Sequence, residues 1–179
     1  VLPYRHPDLE RAAARAEILL FYRVPANRQV MRVLDRAIET GIGRIGLVDD
    51  LIFRTGEAFV PPFVARREER DLWQDGAARY ECVLASCDEV LASSLELVAE
   101  VESLGIESHL YRDAMSAEEL DLGRKAQDAA GARPLRQEFR VGYFSGTATH
   151  GADFGRAARG LAAAMEENPL ISLHVRGPL

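Results

Sequence analysis

Cysteine is nearly absent from this chain: Cys82 and Cys87 are the whole complement. Spaced five apart on an expected helix, they point away from each other and match neither a zinc spacing nor a disulfide framework. They read as buried structural thiols, and the expected compartment is reducing and cytoplasmic. Lysine is scarcer still. Lys125 stands alone among 22 basic residues, which reads as the arginine bias of a GC-rich genome rather than as phosphate recognition. Long apolar runs are missing too. None nears the ~18 residues of a membrane span, and no signal-peptide pattern opens the chain. A basic face is lacking as well: the net charge of −6 argues against a duplex nucleic-acid partner.

What is present is a globular composition, 47% hydrophobic and 28% charged over 179 residues. That length suits one domain, or one domain with part of another, and needs no disulfide or metal staple. Short apolar runs alternate with amphipathic segments, the pattern of a parallel α/β sheet. Glu17-Ile-Leu-Leu-Phe-Tyr-Arg-Val24 predicts a strand buried on both faces. Asn27 caps the following helix, whose stripe is Val30, Leu34 and Ile38 and whose end is Gly41. A second strand, Arg44–Val48, runs into Asp49-Asp50.

Pro61-Pro62 marks a surface connection before a helix over residues 66–86. Asp88–Ala92 predicts a third strand. Ser93 and Glu96 have capping-box spacing for a helix that stops at Gly105, and Glu107–Arg112 predicts a fourth strand. Ser116 and Glu119 repeat the capping-box spacing. The pattern breaks at Gly131–Pro134, so the expected domains are residues 1–131 and 132–179. Past the break come a strand over Phe139–Phe144, a helix over 151–167 striped by Phe154, Ala158, Leu161 and Met165, and a strand over Ile171–Val175. Both chain ends read as cuts.

Two spots carry chemistry. In the turn Ser145-Gly-Thr-Ala-Thr-His150, small and hydroxyl residues stand between a strand and a helix. There, backbone N–H groups and the helix dipole can face a phosphate or diphosphate; the plainer reading is a tight capped turn. At the carboxyl end of a parallel strand, Asp49 and Asp50 are placed for a ligand crevice. The plainer reading there is one cap and one solvated carboxylate.

The run Gly142-Tyr-Phe-Ser-Gly-Thr-Ala-Thr-His150, with Asp153-Phe154 and His174-Val-Arg-Gly-Pro-Leu179, resembles the opening of the second domain in group 1 (family 4) glycosyltransferases. Tyr22-Arg-Val-Pro25, Leu47-Val-Asp-Asp-Leu-Ile-Phe53 and Cys87-Asp88-Glu-Val-Leu-Ala-Ser93 resemble segments of that family's first domain, in the same order. Leu47 replaces the first acidic position of the family's pattern, and Asp113 stands where asparagine is common. The resemblance spans residues 17–179. It implies a Rossmann-like parallel sheet flanked by helices, as part of a two-domain GT-B architecture.

It further implies transfer of a sugar from a UDP- or GDP-sugar donor to a glycan or other hydroxyl acceptor, with no cofactor and no metal. By position, Ser145, Gly146, Thr147, Thr149 and His150 would lie at the donor diphosphate, and Asp49, Asp50 and Asp113 at the interdomain cleft. Peripheral membrane contact would belong to the parent enzyme. The family's paired glutamates of the second domain have no counterpart here. Glu81 and Glu89 match only the spacing, in the wrong domain. No catalytic residue is therefore assigned, the piece is expected to be inactive alone, and its uncovered strand edges predict self-association. The competing reading is a non-catalytic α/β binding or scaffold module. A phosphoacceptor regulator built on Asp49-Asp50 would want a strand-end lysine, and Lys125 falls inside an expected helix.

Overall fold

A computed structural model describes residues 1–61, 64–131, 138–146 and 151–178. The chain forms two compact units, Val1–Ala114 and Met115–Leu179.

In the first unit, a short helix α1 (Leu9–Ala13) precedes β1 (Ile18–Tyr22), α2 (Arg28–Thr40) and β2 (Gly43–Val48). A 3-10 turn over Glu57–Phe59, α3 (Arg67–Leu84), β3 (Glu89–Ala92), α4 (Leu95–Glu102) and β4 (Ser108–Leu110) follow. The four strands lie in chain order, β1-β2-β3-β4, and every pair is parallel. This is an α/β, Rossmann-like sheet flanked by helices.

Strand order fixes where the helices go. Each right-handed crossover advances one strand in the same direction, so α2, α3 and α4 fall on one face of the sheet. That face holds the core. Phe21 of β1 packs with Val30, Val33 and Leu34 of α2 and Val83 of α3. Val48, Val90 and Ala92 pack with Leu84, Leu97, Val101 and the wholly buried Phe53. At Gly46 a side chain has no room: an added Cβ would lie 2.7 Å from Leu84 and 3.0 Å from Val90.

The helix ends follow local chemistry. The Asn27 side chain accepts from the N–H groups of Gln29 and Val30, and Gly41 closes α2 in the left-handed region at φ 71°. Ser116 and Glu119 form the expected reciprocal box, with Ser116 N–H donating to Glu119 Oε2 at 2.7 Å.

Several expectations are corrected. The helix after β3 is capped by Ser94, which accepts from Leu97 N–H, rather than by Ser93. The buried stripe of α2 runs through Val30, Val33, Leu34 and Ala37, and Ile38 is exposed. Cys82 is exposed on α3 rather than buried, and only Cys87 is partly covered. Burial pushes the Cys87 thiol up to about 12, which leaves it an inert packing group. Most consequentially, β1 is not buried on both faces. Ile18, Leu20 and Tyr22 are 61%, 58% and 49% exposed, so the face of β1 opposite Phe21 is open.

The second unit contains α5 (Ala117–Gly131), β5 (Phe139–Phe144), α6 (Gly151–Glu167) and β6 (Ile171–Arg176). β5 and β6 pair in parallel from Phe139–Ile171 to Phe144–Arg176. On α6 the expected stripe of Phe154, Ala158, Leu161 and Met165 is the partly buried one, and the Phe154 ring lies 4.7 Å from that of Tyr143. No helix among the described residues is long and apolar enough to cross a membrane.

Candidate functional site

Parallel strands direct their carboxyl ends to one edge of the sheet, and the loops there collect the polar residues. On the first unit this edge carries Tyr22 ending β1 and Arg23 after it, Asp49-Asp50 after β2, Ser93-Ser94 after β3 and Arg112-Asp113 after β4.

Asp49 is the most constrained of these. Arg23 grips it with two parallel hydrogen bonds, Nε to Oδ1 at 2.7 Å and Nη2 to Oδ2 at 2.9 Å, and the Tyr22 hydroxyl donates to Oδ2 at 2.8 Å. A forked arginine–carboxylate pair is the geometry that the guanidinium plane favours. Arg23 adopts φ 49°, the left-handed region, unusual for a residue with a side chain. The strain falls where β1 ends, and the bidentate pair compensates for it. Asp49 is thus committed inside the protein. Asp50 is the freer carboxylate, 61% exposed and 4.0 Å from Arg23 Nη2.

Donation from Arg23 holds the Asp49 carboxyl below its usual range; burial opposes it as the next largest effect, and the Tyr22 hydrogen bond lowers it further. A depressed folded-state value means that the pair stabilises fully above the unfolded carboxyl value, near 3.8. That stability fades as pH falls through the folded value. The expected result for Asp49→Asn is a loss of about 1 kcal/mol at neutral pH, discounted for the exposure of the pair. Against wild type, this difference should shrink as pH falls below the unfolded value near 3.8, as followed by urea melts.

The space beside Asp49 and Asp50, shared with Phe21, Val48 and Phe53, measures about 10 Å³, at the threshold for a single water. The roomier feature lies two strands away. Between the ends of β3 and β4 a depression of about 430 Å³ is lined by Ser93, Ser94, Leu95, Glu96, Leu110, Arg112 and Asp113. Its size suits a sugar residue. Its lining offers hydroxyls, a guanidinium and carboxylates, the complementary partners of a polyol.

Of the sequence-predicted cleft residues, Asp113 lines this depression and Asp49 and Asp50 do not. Asp113 is nonetheless close enough to Tyr22 for its charge to help raise the phenol pKa, after the larger effect of the Asp49 hydrogen bond. Arg112, Ser94 and Glu96 were not singled out as site residues. The strand-end rule that selected Asp49 also covers Ser93-Ser94 and Arg112, so that signal was available. Glu96 occupies the amino end of α4, where hydrogen bonds from its own backbone and from Ser94 depress its pKa. A carboxylate already placed there disfavours an anion and favours a neutral ligand.

Asp88, in the Cys87-Asp88 segment, serves the opposite edge. It accepts from Arg44 N–H at 2.8 Å and from the Arg44 guanidinium, which pins the start of β3 to β2. In the second unit, Ser145 N–H donates to the Arg176 carbonyl at 2.8 Å. Gly177, at φ 95°, lets that carbonyl-bearing turn close: a side chain there would collide with the Ser145 carbonyl. Ser145 and Gly146 therefore sit at the carboxyl end of β5, as expected, whereas Thr147, Thr149 and His150 lie outside the described residues. Among the described residues no group of three or more His, Cys, Asp or Glu side chains is arranged to hold a metal ion.

Comparison with protein-family profiles, with curated proteins and with solved structures finds no match for this chain.

Proposed function

We propose that this chain is part of a glycosyltransferase that moves a sugar from a nucleotide-sugar donor to an acceptor hydroxyl, and that the depression between β3 and β4 receives a sugar. The observation that carries this reading is the depression itself: about 430 Å³, open, and lined by Ser93, Ser94, Arg112 and Asp113 at parallel strand ends. Arg112 and Asp113 are both exposed, so their donors and acceptors face a ligand without rearrangement of the core. In the second unit, Ser145 and Gly146 follow β5 at its carboxyl end, where the resemblance sets a donor diphosphate. As part of a GT-B enzyme, the chain alone is expected to bind without turning over.

Saturation-transfer NMR with UDP-glucose, GDP-mannose and free UDP tests the reading. Transfer to sugar protons is expected for at least one nucleotide sugar, weakened about tenfold by Asp113→Asn, the loss that one charged hydrogen bond predicts. Transfer from neither donor, or a signal indifferent to Asp113, would count against it. One observation favours the second reading, a non-catalytic binding or scaffold module. Asp49, one of the acidic pair that matches the family's pattern, spends both its oxygens on Arg23 and Tyr22. A purely structural role for this edge would leave every nucleotide sugar unbound.

A further inference from the structure

The uncovered strand β1 carries an inference independent of the sugar reading. Glu17 C=O accepts from Gly43 N–H of β2. Because backbone groups alternate along a strand, the N–H and C=O of Ile18, Leu20 and Tyr22 then point to the other, unpaired edge. β1 is the end of the sheet. Edge strands are ordinarily blunted by lysine, proline, a bulge or short length. Ile18-Leu-Leu-Phe-Tyr22 has none of the first three, and its Ile18, Leu20 and Tyr22 side chains are half or more exposed. The opposite edge, β4, is only three residues long and carries His109 beside Glu89 and Glu107.

We propose that β1 pairs with β1 of a second copy, antiparallel, about a two-fold axis at Leu20. In that register Leu20 lies opposite Leu20 of the second copy, and Ile18 lies opposite Tyr22. Every outward backbone group of the strand is then satisfied, whereas a shift by one pair would recruit Ala16 from outside the strand. Charge selects the same arrangement. Glu17 precedes β1 and Arg23 follows it, so antiparallel pairing sets acid opposite base at both ends, and parallel pairing would set like against like.

The surroundings of β1 are apolar as well. A groove of about 330 Å³ runs along the strand and takes in both of its faces, lined by Leu2, Leu9, Ile18, Leu19, Leu20 and Phe21 among others. The paired register sets Leu19 of each copy opposite Phe21 of the other, at that groove. A symmetric pair of this kind closes on itself and does not propagate.

The test is analytical ultracentrifugation of the whole chain at high micromolar concentration, with two reciprocal variants. Wild type is expected at twice the 19.8 kDa chain mass. Leu20→Lys and Leu20→Glu each place like charges on the axis, so each should sediment as a monomer, and mixing the two should restore the doubled mass. Leu20 is exposed, so neither variant disturbs the core, and unchanged circular dichroism melts verify that. Glu17→Arg, which sets arginine against arginine, should weaken association several-fold and stands in if a Leu20 variant fails to fold. A monomeric wild type, a Leu20 variant that still dimerises, or a mixture that stays monomeric would overturn the proposal.

Discussion

Phe53→Ala is expected to destabilise the first unit by about 3–5 kcal/mol, the range for emptying a closed aromatic site. Phe53 has no solvent exposure and joins Val48, Leu84, Val90, Ala92, Leu97 and Val101 in one cluster. Those residues come from β2, α3, β3 and α4, so removing the ring leaves a cavity touching most of the unit. Relaxation cannot fill it cheaply, because the surrounding strands are held in register by their ladders. Phe53 also lies three residues beyond Asp50, so it anchors the loop that carries the carboxyl edge. A thermal melt should fall by on the order of 15 °C. A shift of only a degree or two would mean that the cluster is not the core.

Gly46→Val should cost about 3 kcal/mol or more, through excess volume rather than its loss. Gly46 sits mid-strand in β2 and is buried, with Leu84 and Val90 already within 3.0 Å of where a Cβ would stand. Leu84 could rotate, but it is itself buried, and Val90 is fully enclosed with a stiff, branched side chain. Gly46→Ala should show the same sign at smaller size. Chemical denaturation of both variants checks the ordering: equal stability for wild type and Gly46→Val would show that β2 and β3 do not pack as described.

Much of the architecture was readable because its signals are local. Asn27, Gly41, Ser116 with Glu119, and the stripe of α6 act within one or two helical turns, and each is found as expected. The parallel class followed from strands alternating with helices. Errors arose where the deciding partner is distant in sequence. The apolar run of β1 has the composition of a two-face strand, but burial of its second face depends on a covering layer, which no residue within β1 encodes. The exposure of Cys82 and Ile38 is likewise a question of helix phase against a neighbour. Ser93 lost the cap to Ser94 by a single residue, a difference that spacing does not resolve.

The site was only half legible for a similar reason. Asp49 and Asp50 stand out in sequence as an acidic pair at a strand end, yet Arg23 and Tyr22 consume Asp49, and the space beside it is nearly filled. Arg112 and Ser94 draw no attention singly, and Glu96 does so only as half of a capping-box spacing. They come together with Asp113 only because β3 and β4 are neighbours in the sheet.

A residue-resolved map of nitrogen-15 amide shifts during titration with UDP-glucose and GDP-mannose tests the sugar site most directly. Perturbations are expected to gather at Ser93–Glu96 and at Leu110–Asp113, while Arg44 and Asp88 at the opposite ends of the strands stay still. Perturbations confined to those opposite ends, or none with either sugar nucleotide, would contradict the proposed site.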